Sequence, residues 1–379
     1  MERSTLEHAT ARAGSKALIR EINEALVLDV IRRKGVASRA EVTAVTGLSP
    51  ATVTGITGQL VGAGLLTERD TLRGTGGRPA RLLELGTDAV LAAGVRISAS
   101  AVDVALVNLR GDVVSALSVP VSDTTPEKMA DAVAAAIEEA AAGRGDALRG
   151  ASITLSGIVD RRRGVVRHSG ALAWQGVAFA DLVARNLGRR VTIDNLVNSL
   201  ATGLLLRGDE LAEREVMVFS AGVSLGASML IRGRIHRGYG GAAGGFAHSA
   251  IGLRDSGRPC HCGDDGCLET WSSLWGMRRE GERRGEFDDA ILTEGGARLG
   301  AAMANASKML APEHVVLALS PDVQGGAFLD ACRVAFTREY RYAESPAPEL
   351  VAIPADGDVF TRGAGYDMIT ELFTSEHGV

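Results

Sequence analysis

Residues 38–64 read SRAEVTAVTGLSPATVTGITGQLVGAG, and their spacing decides how the chain begins. Ser38 with Glu41 three residues on has the capping-box spacing, so a short helix is predicted as far as Thr46. Gly47 permits a tight turn. Ser49 can cap the next helix, and Pro50 stands at its first position, where a missing N–H removes no hydrogen bond. That helix is predicted over 50–63, and Gly64 stops it. Upstream, SKALIREINEALVLDVIRRK (15–34) sets Leu18, Ile22, Leu26 and Val30 on one helical stripe. Downstream, LLTERDTLRGTGGRPARLLEL (65–85) reads as a two-stranded wing. Helix, short helix, glycine turn, helix, wing is the plan of a winged helix-turn-helix.

In that plan the third helix enters the major groove and the wing lies over phosphates. Ser49, Thr52, Thr54, Thr57 and Gln59 are the candidates to face DNA, and Arg39, Arg69, Arg73 and Arg78 the candidates to pair with phosphates. Val53, Ile56 and Leu60 are expected in the small core. Two features favour a different use, dimerisation alone. Gly55 and Gly58 inside the helix each cost roughly 1 kcal/mol relative to alanine. The helix also has no Arg or Lys for a bidentate guanine contact. The charge distribution supports DNA. Residues 1–80 carry 11 Lys and Arg against 8 Asp and Glu, and the remainder 30 against 38, so a mildly basic head precedes an acidic body. A net charge of -5 argues against a general nucleic-acid coat. The chain opens on no secretory pattern and contains no long uncharged apolar run, so a cytoplasmic protein without a membrane span is expected.

From about residue 90 the pattern changes. AVLAAGVRISASAVDVALVNLRGDVVSALSVPV reads as three meandering strands and PEKMADAVAAAIEEAAA as a helix. LRGASITLSG follows as a strand, WQGVAFADLVARNLG as a helix, RRVTIDN as a strand and NLVNSLATGLLLRG as a helix. A new meander then begins at EVMVFSAGVSLGASMLIRGRI. The last third is mostly helical apart from HVVLALSP and PELVAIP. An α/β order of this kind, begun twice, matches the two-lobe actin-like ATPase (ribonuclease H-like) fold of the sugar-kinase type, with a cleft between lobes. The expected division is a head over 1–80, a linker over 81–92, a first lobe over 93–200 and a second over 201–379. The C-terminal helix has room to return to the first lobe.

Three of the four cysteines lie within eight residues, in CHCGDDGCLE (260–269). That clustering suits a metal site in a reducing compartment better than a disulfide framework. Cys260, Cys262 and Cys267 can converge on one ion, and His248 can complete a Cys3His tetrahedron. The natural occupant is a structural Zn2+. His261, inside the Cys-x-Cys turn, is expected to point outward, and Cys332 to be a buried core residue.

With the preceding HRGYGGAAGGFAHSAIG, this segment resembles the zinc segment of the ROK family (repressors, open reading frames, kinases), and the resemblance spans almost the whole chain. It also implies what this sequence lacks. Family kinases cradle ATP with Asp-x-Gly-Gly-Thr, where this chain has Gly94-Val95-Arg96-Ile97-Ser98-Ala99-Ser100. Their second glycine loop corresponds to Gly222-Val223-Ser224-Leu225-Gly226-Ala227-Ser228, and a Gly-Gly near the adenine to Ala318-Leu319. The general-base aspartate corresponds to Leu196, which cannot take a proton. No catalytic residue is therefore assigned, and an enzyme is not expected. Of the family's sugar-binding set, Asn195, His248 and Glu269 remain, while Ala171, Leu196 and Gly245 replace the others. The resemblance implies a transcriptional regulator, a repressor of carbohydrate-related genes. Its partners would be double-stranded operator DNA, a sugar or sugar-derived effector, and further copies of itself as a homodimer or dimer of dimers. The alternative is an oligomeric scaffold with a vestigial winged helix and no effector.

Overall fold

The structure, a computed structural model, describes residues 16–70, 81–87, 89–205, 214–251, 257–341, 346–355 and 358–373. They fall into two compact units. One runs to Ala89 and takes in the chain's end from Ile369; the other is Val90–Met368.

The first unit follows the order α1 (Lys16–Lys34), β1 (Val36–Ser38), α2 (Arg39–Thr46), α3 (Pro50–Gly62), β2 (Leu66–Asp70) and β3 (Arg81–Leu85). The capping box at α2 is reciprocal. Ser38 Oγ accepts from the Glu41 N–H at 3.2 Å, and Glu41 Oε2 accepts from the Ser38 N–H at 2.8 Å. Gly47 closes α2 in the left-handed region at φ 70°, where a side chain would be strained. Ser49 then caps α3 through the Thr52 N–H at 3.1 Å. Val27, Ile31, Val42, Val53, Ile56, Leu60, Leu66 and Leu83 are buried and form the core of this unit.

Two expectations need correction here. The stripe chosen for α1 is only partly its buried face: Ile22 and Leu26 are 38% and 43% exposed, while Val30 of that stripe is buried together with Val27, Leu28 and Ile31. α1 carries apolar residues on more than one face, and its contacts with α2, α3 and β3 select the second. Residues 81–85 are a strand, not the start of a linker. β3 pairs antiparallel with both β1 and β2 in the order β1-β3-β2, and Leu83 and Leu85 are buried.

The second unit contains two five-stranded sheets of the same topology. The first lobe has β4 (Leu91–Ile97), β5 (Ala101–Asn108), β6 (Val113–Pro120), α4 (Pro126–Ala140), β7 (Leu148–Leu155), β8 (Ile158–Asp160), β9 (Val165–Ser169), β10 (Trp174–Val177), α5 (Phe179–Leu187), β11 (Arg190–Asn195) and α6 (Leu196–Leu205). Its main sheet has the order β11-β7-β4-β5-β6, and β8, β9 and β10 form a separate antiparallel sheet. The stretch from Trp174 was expected to be helical throughout; its first four residues are β10. Trp174 is buried there, with its indole N–H on the Thr124 carbonyl at 2.7 Å.

The second lobe has β12 (Glu215–Ala221), β13 (Leu225–Ile231), β14 (Arg234–Ile235), α7 (Glu269–Ser272), α8 (Leu274–Arg284), α9 (Asp289–Leu310), β15 (His314–Leu319), α10 (Gly326–Tyr340), β16 (Glu349–Pro354) and α11 (Val359–Phe373). The order β14-β13-β12-β15-β16 repeats the first sheet: an antiparallel meander, then two parallel strands on its inner side. Only glycines let α11 reach the first lobe. A Cβ at Gly94 would collide with the Thr361 carbonyl oxygen, and one at Gly363 with the Ser199 carbonyl oxygen. No helix among the described residues is long and apolar enough to cross a membrane.

Candidate functional site

Two places carry the residues singled out above, one in each unit. In the first, α3 presents a buried half of Val53, Ile56, Thr57 and Leu60 and an exposed half that includes Thr54, Gly55, Gly58 and Gln59. Ser49 and Thr52 sit at its entrance, bonded to each other at 2.8 Å. Thr57 is a correction, because it is fully buried and cannot meet a base. Its hydroxyl accepts from Arg39 Nε at 2.9 Å, and Arg39 also pairs with Glu68 at 2.6 Å. Glu68 takes Arg81 on its other oxygen at 2.6 Å, so one carboxylate joins α2, β2 and β3. The two guanidiniums hold the Glu68 carboxyl below its ordinary range, Arg39 first. Arg39 is thus held inside the unit. Arg69 pairs with Glu84 at 2.6 Å but leaves its own side chain 65% exposed. Arg73 and Arg78 lie outside the described residues.

The second place is the cysteine segment. His248 ends a short 3-10 turn, Gly245–His248, and faces Cys260 with Nδ1 to Sγ at 3.6 Å. Cys262 and Cys267 stand 3.7 Å apart at sulfur, and all four ligand atoms lie within 4.8 Å of one another. A tetrahedral ion with metal–sulfur bonds of about 2.3 Å sets its sulfurs roughly 3.8 Å apart, so the donor set fits one. Backbone bonds shape the knuckle: the Cys260 N–H donates to Asp264 O at 2.8 Å, and the Gly263 N–H to Cys260 O at 3.1 Å. Burial, then the neighbouring His261, lowers the His248 pKa, so its ring is neutral at pH 7 and offers a lone pair. Burial pushes the Cys267 thiol up to about 12, so an ion must displace protons to bind. Cys332, as expected, is buried in the core.

His261 does not simply point outward. It is exposed, but its ring meets His248 edge-on at 5.4 Å and Trp275 at 5.1 Å, and a Cβ at Gly170 would come within 2.6 Å of its Cδ2. The cysteine segment thereby touches the first lobe. Its other side is anchored by Arg258, whose guanidinium lies 3.4 Å from the centre of the Trp271 ring, with Arg298 at 3.6 Å. Arg258 also pairs with Glu280 at 3.0 Å.

Leu196 opens α6 and packs on the apolar cluster of Val197, Leu200 and Val218. Asn195 Oδ1 accepts from the Asn198 N–H at 2.8 Å and caps that helix. Glu269 is 2% exposed, and Oε2 accepts from the Leu225 N–H at 2.9 Å. Burial pushes its carboxyl up to about 8, so it carries a proton at neutral pH. A Cβ at Gly245 would meet nothing within 4 Å, so the space beside it is open. Arg96 lies over the Phe360 ring at 5.3 Å, and Ala318 and Leu319 are wholly buried within their sheet.

One constellation escaped the sequence reading. Asp194 and Asp367 are both buried, 173 residues apart along the chain. Asp194 accepts from Arg237 at 2.7 Å and from Asn198 Nδ2 at 2.7 Å; Asp367 pairs with Arg161 and accepts from Ser152 Oγ at 3.1 Å. Buried carboxylates persist only when paired, and the pairing here joins β11, α11, the β8–β9 turn and the segment after β14. No motif signals it, because its members come from four separate segments.

The sequence profile of the ROK family matches residues 92–324. The xylose repressor of Caldicellulosiruptor bescii is 28% identical over 265 residues, covering 69% of this chain and 66% of that protein. The glucokinase of Streptomyces coelicolor is 30% identical over 194 residues, 51% of this chain and 60% of that enzyme. Each match spans no more than about two thirds of the curated relative. Among solved structures, a ROK family transcriptional regulator described as a homolog of E. coli MLC protein superposes with a TM-score of 0.77 at 23% identity, over 94% of this chain and 97% of its own.

Proposed function

The chain belongs to the ROK family, and from that premise we propose that it is a sugar-responsive transcriptional repressor whose body does not transfer phosphate. The observation that carries this reading is the outer face of α3, capped by Ser49, with Thr54 and Gln59 exposed over a complete small core. A helix so placed can enter a major groove, while β2 and β3 lie beside it as the wing. Of the two described arginines proposed to meet phosphates, Arg39 and Arg69, Arg69 is the more exposed, at 65% against 29%. In the body, Leu196 stands where a base must accept the sugar hydroxyl's proton, which supports a sensor over a kinase. Relatives that are repressors and relatives that are glucokinases both share this body, so the distinction rests on such residues.

His248, Cys260, Cys262 and Cys267 would hold a structural Zn2+, which ties down a loop with little core of its own. Asn195, His248 and Glu269 line the proposed effector cleft. Protonated Glu269 can donate a hydrogen bond, and the open space at Gly245 suits a ligand bulkier or less polar than a plain hexose. Two copies would present two heads to a pseudo-palindromic operator, and effector binding would change lobe closure and head spacing.

The test is a salt-titrated mobility shift with the gene's own upstream DNA, with and without a panel of sugars and phosphosugars. A specific shift released by one compound is expected. Absence of any shift at low salt would sink the reading. A coupled ATP–sugar assay should register no turnover above background.

A further inference from the structure

The body is acidic, but not everywhere. Residues 81–379 carry 30 Lys and Arg against 38 Asp and Glu. Residues 160–170 (DRRRGVVRHSG) and 231–241 (IRGRIHRGYGG) contain seven of those arginines and a single acid, leaving 23 against 37 for the rest. The fold brings these two stretches together. The turn at Tyr239–Gly241 packs on β8 so closely that a Cβ at Gly241 would strike the Val159 carbonyl oxygen. One at Gly240 would strike the Arg167 guanidinium.

Two of the seven arginines, Arg161 and Arg237, turn inward to Asp194 and Asp367 and fix the join between the stretches. The others turn outward. Arg162, Arg167, Arg232 and Arg234 are exposed, and Arg163 is 83% exposed with its nearest carboxylate, Asp160, at 4.0 Å. Among them stands Tyr239, 94% exposed on a turn whose glycines all have positive φ.

We infer that the β8–β9 turn and the segment around β14 form a second phosphate-binding face, on the body, that seats the backbone of double-stranded DNA without reading its sequence. The choice of DNA as partner rests on the repressor reading above. The composition points the same way. A protein partner would need an apolar centre, and Tyr239 is the only exposed large apolar side chain of these two stretches. A single-stranded nucleic acid would need a run of successive stacking rings, and these stretches expose only Tyr239 and His236. Guanidiniums, by contrast, match phosphate oxygens in pairs.

The test measures how binding of the full chain to a long random-sequence duplex varies with salt. Each phosphate contact contributes about 0.9 to the slope of log K against log salt. Replacing Arg162, Arg163 and Arg167 by alanine should lower that slope by about 2 to 3, and replacing the same three by lysine should preserve most of it. An unchanged slope in the alanine variant would overturn the inference. So would lysine failing like alanine, which would mark a structural role, or polyglutamate competing as well as the duplex, which would mark an acidic protein partner. Failure of the repressor reading looks different: no preference for operator over random duplex, with the arginine-dependent slope intact.

Discussion

Thr57 and Gln59 lie two residues apart on α3 and have opposite roles. The Thr57 hydroxyl accepts from Arg39 in the buried half of the helix, while Gln59 faces outward. Thr57→Val keeps the volume but leaves Arg39 without that acceptor, so it should lower stability by about 1 to 2 kcal/mol without changing base preference. Gln59→Ala should shift stability by less than about 0.5 kcal/mol yet alter preference among operator variants. Denaturant melts beside binding to a base-substituted operator set would separate the two. Glu280 gives a pH prediction. Arg283, then Arg284 and Arg258, hold its carboxyl at about 2, below the ordinary 4.5. A depressed folded-state pKa stabilises the fold above the unfolded value, and that stability is lost as pH falls from about 4.5 to about 2. Glu280→Gln should therefore be the less stable protein at pH 7 and should flatten the loss of melting temperature across that acid window.

At the scale of the element, α3 keeps two glycines that its own packing does not need. A Cβ at Gly55 or Gly58 would meet nothing within 4 Å. Alanine at either position should stabilise the helix by about 1 kcal/mol, read as a raised denaturant midpoint. If the same substitutions weaken operator binding, the glycines serve a close approach to DNA. α11 is the opposite case. Gly94→Ala would drive a methyl into the Thr361 carbonyl, and should destabilise the protein by about 3 kcal/mol or more, visible in thermal unfolding. The elements themselves were largely legible beforehand. The caps at Ser38 and Ser49, the Gly47 turn and the apolar runs of β4, β5 and β7 are local signals, and these elements formed where their signals lay. The face of α1 and the strand at Trp174 were not legible, because a partner surface selects among several apolar positions.

For the whole molecule, the cysteine segment is a joint between the two lobes. It meets the first lobe through His261 and Gly170 and the second-lobe helices through Arg258, Trp271 and Arg298. Stripping metal with a chelator, or replacing Cys267 by serine, should lower the melting temperature and loosen proteolytic protection of residues 245–275. Metal analysis should return one ion per chain. Because burial pushes the Cys260 and Cys267 thiols up, so that they hold their protons, metal affinity should fall as pH falls. An ion-free protein with an unchanged melting temperature would remove the structural role assigned to the site.

Local chemistry was enough to announce a capped helix pair followed by paired strands, an α/β body begun twice and a Cys3His donor set. Each depends on residues close in sequence, whose spacing limits what the backbone can do. The burial of Thr57, the Glu68 junction, the Asp194–Arg237 and Asp367–Arg161 pairs and the meeting of two arginine-rich turns came only with the folded chain. Those features join segments tens to hundreds of residues apart. Charge pairing at such distances leaves no periodic mark on the sequence; it exists only once the sheets have set their strands side by side.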